Sequence, residues 1–299
     1  MKSLLSALLL LAVPAAAEVR SEHFNAASLG RDVTYSIQLP PSYAKGTARY
    51  PVLYVLHGLF EGPGFWEQRG LAAQLDELWG QGGGLPEFLV VAVDGGNSFF
   101  ANSRLGRFED LVTHDLIAEV ESRYRAIPSR DGRGLIGVSM GGYAALRIAF
   151  THPEVFRVVA THSAMLLEKP PTQEEGARRG QMAAFHDVFG DPIDAAQWTA
   201  NDPLVLVDKV EAKSAPLLSI DCGSEDRYGL FRGNEELHRK LQARGVAHEF
   251  RLAPGNHGYE YVKTVLPASL RFVATGFSAA VAAETKGSGK TPAHAQPHR

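Results

Sequence analysis

The 299-residue sequence contains a single cysteine, Cys222. An internal disulfide is therefore excluded, and stability has to come from an apolar core, which a chain of this length can build. Cys222 follows an apolar, strand-like run and reads as a buried, inert thiol rather than a nucleophile. A basic excess is also missing: 30 Lys and Arg stand against 33 Asp and Glu, for a formal charge of −3. No stretch concentrates cations, so nucleic acid and anionic membrane surfaces are poor partners. No Cys/His cluster suggests a metal, and no cofactor is expected. Long apolar runs are scarce too. The run over residues 4–13 is too short for a bilayer core that needs roughly 20 apolar residues. It follows Lys2 and precedes Ala15, Ala16 and Ala17, the layout of a secretory signal peptide. Residues 1–17 are expected to be that leader and the mature protein to be secreted or periplasmic. No stable membrane insertion is expected.

What is present is an alternation of short apolar runs with helix-like segments, which predicts an α/β fold with a mostly parallel central sheet and crossover helices. Strands are expected at 31–39, 51–56, 88–93, 134–138, 155–161, 215–221 and 247–252. The run at 51–56 is continuously apolar, as a strand buried on both faces requires. Helices are expected at 71–79, 108–123, 143–150, 234–244 and 261–277, where apolar residues recur near the helical period. Residues 164–208 break the alternation with Pro and Gly, a charged segment and Trp198, which reads as exposed. They are expected to form a small lid-like insertion over the sheet. Residues 279–299 carry no apolar period and read as a disordered tail. One domain over 18–278 remains.

Gly137-Val138-Ser139-Met140-Gly141 fits the G-x-S-x-G nucleophile elbow, between an expected strand and an expected Ala-rich helix. A sharp strand-to-helix turn forces the serine backbone into strain, and glycine on both flanks leaves room for it. The hydroxyl is lifted clear of the sheet, and the amides at the helix N-terminus face any developing negative charge.

A serine hydroxyl needs a base to take its proton. In the fold that uses this elbow, the order along the chain is Ser, acid, His. Of 11 histidines, His257 is the one in a loop directly after the last expected strand, in Pro254-Gly255-Asn256-His257-Gly258. The acid belongs in the turn after the preceding strand, where it would hold the imidazole tautomer. Asp221, Glu225 and Asp226 compete there. Asp221 is still in the strand and Glu225 could be solvated, whereas Asp226 lies deepest in the turn. His57-Gly58-Leu59 ends the run at 51–56. The Leu59 amide, with that of Met140 after the nucleophile, is expected to form an oxyanion hole. His57 itself reads as structural, holding its loop by hydrogen bonds.

With these residues placed, residues 31–275 resemble the esterase D-like family of α/β-hydrolases. Its members include feruloyl and acetyl-xylan esterases, siderophore esterases, formylglutathione hydrolases and the antigen 85 mycolyltransferases. The resemblance is carried by Gly137 to Leu146, followed by His152-Pro153 and Phe156. Leu56-His57-Gly58, Asp94 to Phe99, Asn201-Asp202-Pro203 and Asp221 to Asp226 also match. It implies an α/β-hydrolase fold with Ser139 as nucleophile, Asp226 as acid and His257 as base. Antigen 85-like members use a glutamate as acid, which keeps Glu225 open. The formylglutathione hydrolases are generally cytosolic and carry a cysteine near the site, absent from the His57 loop here. Asn97, Ser98, Phe99 and Phe100 follow a strand end and are candidates to line the acyl or alcohol pocket, as are Phe65 and Trp66. Packing against the insertion is the alternative for each. The implied reaction is hydrolysis of a small-molecule or carbohydrate-linked carboxylic ester through an acyl-enzyme. An acyltransferase with the same triad and a non-catalytic binding protein on the same fold are the competing readings.

Overall fold

The computed structural model describes residues 17–80, 83–172 and 179–288. The expected leader lies outside them apart from Ala17. Eight strands form one sheet: β1 (Glu18–Ala26), β2 (Arg31–Leu39), β3 (Val52–Leu56), β4 (Leu89–Val93), β7 (Arg133–Val138), β8 (Val158–His162), β9 (Leu217–Gly223) and β10 (His248–Ala253). The two short strands between β4 and β7, β5 (Asn102–Ser103) and β6 (Gly106–Arg107), form a separate hairpin. The order across the sheet is β1-β2-β4-β3-β7-β8-β9-β10. β1 and β2 run antiparallel to their neighbours, and the strands from β4 to β10 pair in parallel. The expected α/β-hydrolase architecture is thus present.

The central strands separate two cores. Tyr54 and Leu56 of β3 and Leu135 of β7 face one, which includes Leu146 of the helix Met140–Thr151 and Leu237 of the helix Phe231–Ala243. Leu53, Val55 and Ile136 face the other, formed with Leu75, Leu266 and Leu270. Because successive strand residues point to opposite faces, a sheet covered on both sides must be apolar at nearly every position. That is why the strand at 51–56 was continuous in the sequence.

Four expectations differ from the structure. β1 was not anticipated: its sequence EVRSEHFNA buries only Ala26, so an edge strand half open to water carries almost no apolar signal. The helix expected over 108–123 is interrupted by a π-helical turn at Leu111–Asp115. The tail is helical at Ser278–Ser288, where Ala280 is buried; its remaining residues lie outside the described ones. Finally, much of 164–208 is core rather than cover. Phe189 packs on Phe99 at 5.3 Å and on Trp198 at 5.1 Å between ring centres. Trp198 is only 5% exposed. Among the described residues, no single helix is long and apolar enough to cross a membrane.

Candidate active site

Ser139 follows β7, the loop from His57 follows β3, Asp226 follows β9 and His257 follows β10. All four therefore lie at the carboxyl ends of parallel strands, where open α/β sheets leave a crevice. Ser139 has φ 55° and ψ −113°, a region that costs a non-glycine residue of order 1–3 kcal/mol. Its surroundings over-determine that conformation. The Ser139 amide donates to His162 O at 3.0 Å, and its carbonyl accepts from Tyr143 N and Met165 N, each at 3.0 Å. A Cβ at Gly137 would lie 2.1 Å from Gly141 O, and one at Gly141 would lie 2.0 Å from Leu56 O. The turn closes only with glycine at both places.

His257 Nε2 lies 3.1 Å from Ser139 Oγ, and its Nδ1 lies 2.8 Å from Asp226 Oδ2. Asp226 is 4% exposed. Its second oxygen, Oδ1, accepts from Tyr228 N at 2.9 Å. A buried carboxylate so bonded fixes the imidazole tautomer, with the proton on Nδ1 and the lone pair of Nε2 facing the serine. Asn256, which the sequence reading passed over, joins the two loops: its Oδ1 accepts from His257 N at 2.7 Å and from Arg227 N at 2.9 Å. The other carboxylates considered for the acid are placed elsewhere. Glu225 is exposed. Asp221 points to the opposite side of β9 from Cys222, where it meets His162 Nδ1 at 2.8 Å and accepts from Tyr261 Oη at 3.0 Å. Burial, reinforced by the charge of Asp226, pushes the Cys222 thiol up to about 12, so it stays protonated.

The loop after β3 consumes two of its three amides. Gly58 N donates to Glu61 Oε2 at 3.2 Å, and Phe60 N donates to Asn97 Oδ1 at 2.8 Å. Leu59 N, between them, has no acceptor among the described residues, and neither has Met140 N. Met140 directly follows the serine, and Leu59 lines the same cleft as Ser139. Glu61 was not singled out from the sequence. Its carboxylate also accepts from Tyr259 Oη and pairs with Arg69 Nη2 at 3.0 Å. One side chain thus ties the loop at 58–61 to Tyr259, two places after His257. His57 is fully buried and structural: Nδ1 donates to Gly58 O at 2.8 Å and Nε2 accepts from Gly95 N at 3.0 Å. Burial lowers its pKa below the ordinary imidazole value.

The substrate-pocket candidates are a correction. The cleft over Ser139 encloses about 920 Å³, and Trp66, Asn97, Ser98, Phe99 and Phe100 do not line it. Phe99 and Phe100 adopt positive φ, 55° and 48°, which turns both rings into the core. Phe100 packs on His57 at 5.3 Å and Phe99 on Phe185 at 5.0 Å. Ser98 is buried on Gly95 O, and Trp66 Nε1 donates to Gln38 Oε1 at 2.7 Å. Asn97 acts on the loop amide of Phe60. The cleft walls come instead from Leu59–Glu61, from residues 165–172 and from residues 227–233. Among the described residues, no group of three or more His, Cys, Asp or Glu side chains could hold a metal ion.

Comparison with known proteins agrees with the architecture. The chain is 27% identical over 260 residues to the S-formylglutathione hydrolase of Paracoccus denitrificans, covering 81% of this chain and 88% of that protein. It is 28% identical over 213 residues to a diacylglycerol acyltransferase/mycolyltransferase of Mycobacterium leprae, covering 66% of this chain and 60% of that protein. A solved ferulic acid esterase superposes with TM-score 0.73 at 23% identity, over 88% of this chain and 99% of that one. The family model described as "Putative esterase" matches residues 26–273, and the chain belongs to that esterase family of the α/β-hydrolase fold.

Proposed function

We propose that this protein is an exported serine carboxylic ester hydrolase acting through an acyl-enzyme on Ser139. The observation that carries the reading is the continuous relay from Ser139 Oγ through His257 to Asp226, at 3.1 and 2.8 Å. Ser139 Oγ attacks the ester carbonyl carbon while His257 Nε2 takes its proton. The carbonyl oxygen becomes an oxyanion held by Leu59 N and Met140 N, each such donor contributing about 3 kcal/mol in the transition state. Asp226 stabilises the imidazolium without taking its proton. His257 then protonates the departing alcohol oxygen, and the acyl group stays on Ser139. A water, deprotonated by the same imidazole, attacks the acyl carbon; the bond from that carbon to Ser139 Oγ breaks, the imidazolium returns its proton to Oγ, and the acid is released. Export rests on the layout of residues 1–17, and N-terminal sequencing of the protein recovered outside the cytoplasm checks it.

The relatives named as acyltransferases favour a second reading, in which an alcohol replaces that water. Both readings share the acyl-enzyme and separate on product analysis with and without a sugar acceptor. The decisive experiment is a fluorophosphonate probe, with 4-nitrophenyl esters of rising chain length. The parent protein is expected to be labelled once, on Ser139, and Ser139→Ala to lose about 1,000-fold or more in turnover. Unlabelled parent protein, or parental turnover in the variant, overturns the proposal.

A further inference from the structure

The wall of the cleft that follows the acid turn carries two guanidinium groups, those of Arg227 and Arg232. Both residues are exposed. Neither forms an ion pair among the described residues; the neighbours they do have are rings. Arg227 Cζ lies 5.0 Å from the centre of the Tyr228 ring, and Arg232 Cζ lies 5.5 Å from that of Phe231. Tyr228 stands edge-on to the His257 imidazole at 4.9 Å, so Arg227 is one aromatic ring away from the proposed base. Arg232 folds back over the turn at Gly229 and borders the same cleft.

Other charges on the cleft wall are largely accounted for. Arg69 is paired with Glu61, and Glu260 meets Lys263 at 3.3 Å. Glu168 and Lys169 sit side by side in the stretch over 165–172, both exposed. Among the described residues, Arg227 and Arg232 are the cations of the cleft wall that have no ion pair, in a chain whose formal charge is −3. Two unneutralised cations in one cleft repel each other unless an anion joins them, and a guanidinium fork matches a carboxylate in shape. A concave site with low-dielectric walls also focuses that field on an approaching ligand.

We propose that this wall is an anion subsite, and that the ester accepted carries a carboxylate, one ring's width from the scissile carbonyl. This rests on the esterase reading of Ser139. The carboxylate can belong to the acyl part, as in a half-ester of a dicarboxylic acid, or to the alcohol part, as in an ester of a hydroxy acid.

Two matched substrate pairs test both sources. One is 4-nitrophenyl hemiglutarate against 4-nitrophenyl pentanoate, with the charge on the acyl side. The other is 3-carboxyphenyl butyrate against phenyl butyrate, with the charge on the alcohol side. The readout is the charged-over-neutral ratio of kcat/KM in the parent protein and in the double variant Arg227→Gln/Arg232→Gln, with active sites counted by fluorophosphonate. A ratio that falls at least fivefold in the double variant for one pair, mostly through KM, supports the subsite and assigns the side. A parent ratio that also falls as salt is raised agrees with it. A smaller fall in both pairs overturns the subsite. Turnover of none of the four esters by the parent protein instead overturns the esterase reading itself, so the two failures are distinguishable.

Discussion

Two His–Asp pairs sit at the carboxyl ends of neighbouring strands, and their inner geometry is the same. His257 Nδ1 meets Asp226 at 2.8 Å, and His162 Nδ1 meets Asp221 at 2.8 Å. What differs is the far side of each imidazole. Nε2 of His257 faces a hydroxyl on a strained turn at the floor of a cleft. Nε2 of His162 is sealed in the interior with no hydrogen-bond partner. Asp221 has Tyr261 on its second oxygen, and burial, with the charge of Asp221, holds that phenol well above its ordinary pKa. The sealed pair lies directly beneath the elbow, because His162 O receives the Ser139 amide. A carboxylate behind an imidazole is therefore not enough to mark a catalytic base. Access and a nucleophile on the other nitrogen decide it.

Exchanging the two histidines for alanine breaks the comparison most directly. His257→Ala is expected to lower kcat by about 10,000-fold with folding intact, because the base is lost while the hole and cleft remain. Steady-state hydrolysis with parallel denaturant titration measures both properties. Should His257→Ala keep more than a tenth of parental kcat, the base lies elsewhere. His162→Ala is expected to do the reverse. It strands the Asp221 carboxylate in the interior, at a cost of about 3 kcal/mol in unfolding free energy, while the variant molecules that remain folded stay reactive to fluorophosphonate. Unchanged stability would show that the sealed pair contributes nothing to the fold.

A third histidine sharpens the contrast at smaller amplitude. His57 is neutral by burial, with a folded pKa below the ordinary 6.5. In the unfolded chain it protonates first as pH falls. Its contribution is therefore fully present above pH 6.5 and is lost as pH drops from there towards its folded pKa. The slope is at most about 1.4 kcal/mol per pH unit. Urea unfolding of the parent and of His57→Gln between pH 7.5 and 5 is expected to give a flatter curve for the variant. Parallel curves would mean that His57 takes up no additional proton on unfolding.

The contrast also explains what could be read in advance. The elbow was legible because steric exclusion at Gly137 and Gly141 leaves few sequences able to make it. His257 was legible because strand order fixes which loop can reach the elbow. The acid was harder, since Asp221, Glu225 and Asp226 lie within six positions: the facing along β9 sets Asp221 apart, and only burial in the turn separates Asp226 from the exposed Glu225. The cleft walls were illegible. Phe99 and Phe100 follow a strand end, but their positive φ turns them inward, and nothing in the order of residues announces that turn. Glu61 and Asn256, which bind loops from distant parts of the chain, had no neighbour in the sequence to betray their role. β1 and the helix Ser278–Ser288 were missed for a plainer reason: each buries too little apolar surface to leave a period.

The lone thiol carries a practical consequence. Cys222 is enclosed and held in its unreactive form, so the native chain offers a maleimide almost no background. A cysteine placed at Phe60, which is 60% exposed on the cleft rim, would become the one position that accepts a dye. Ligand entry could then be followed by fluorescence without first stripping the protein of its own sulfhydryl.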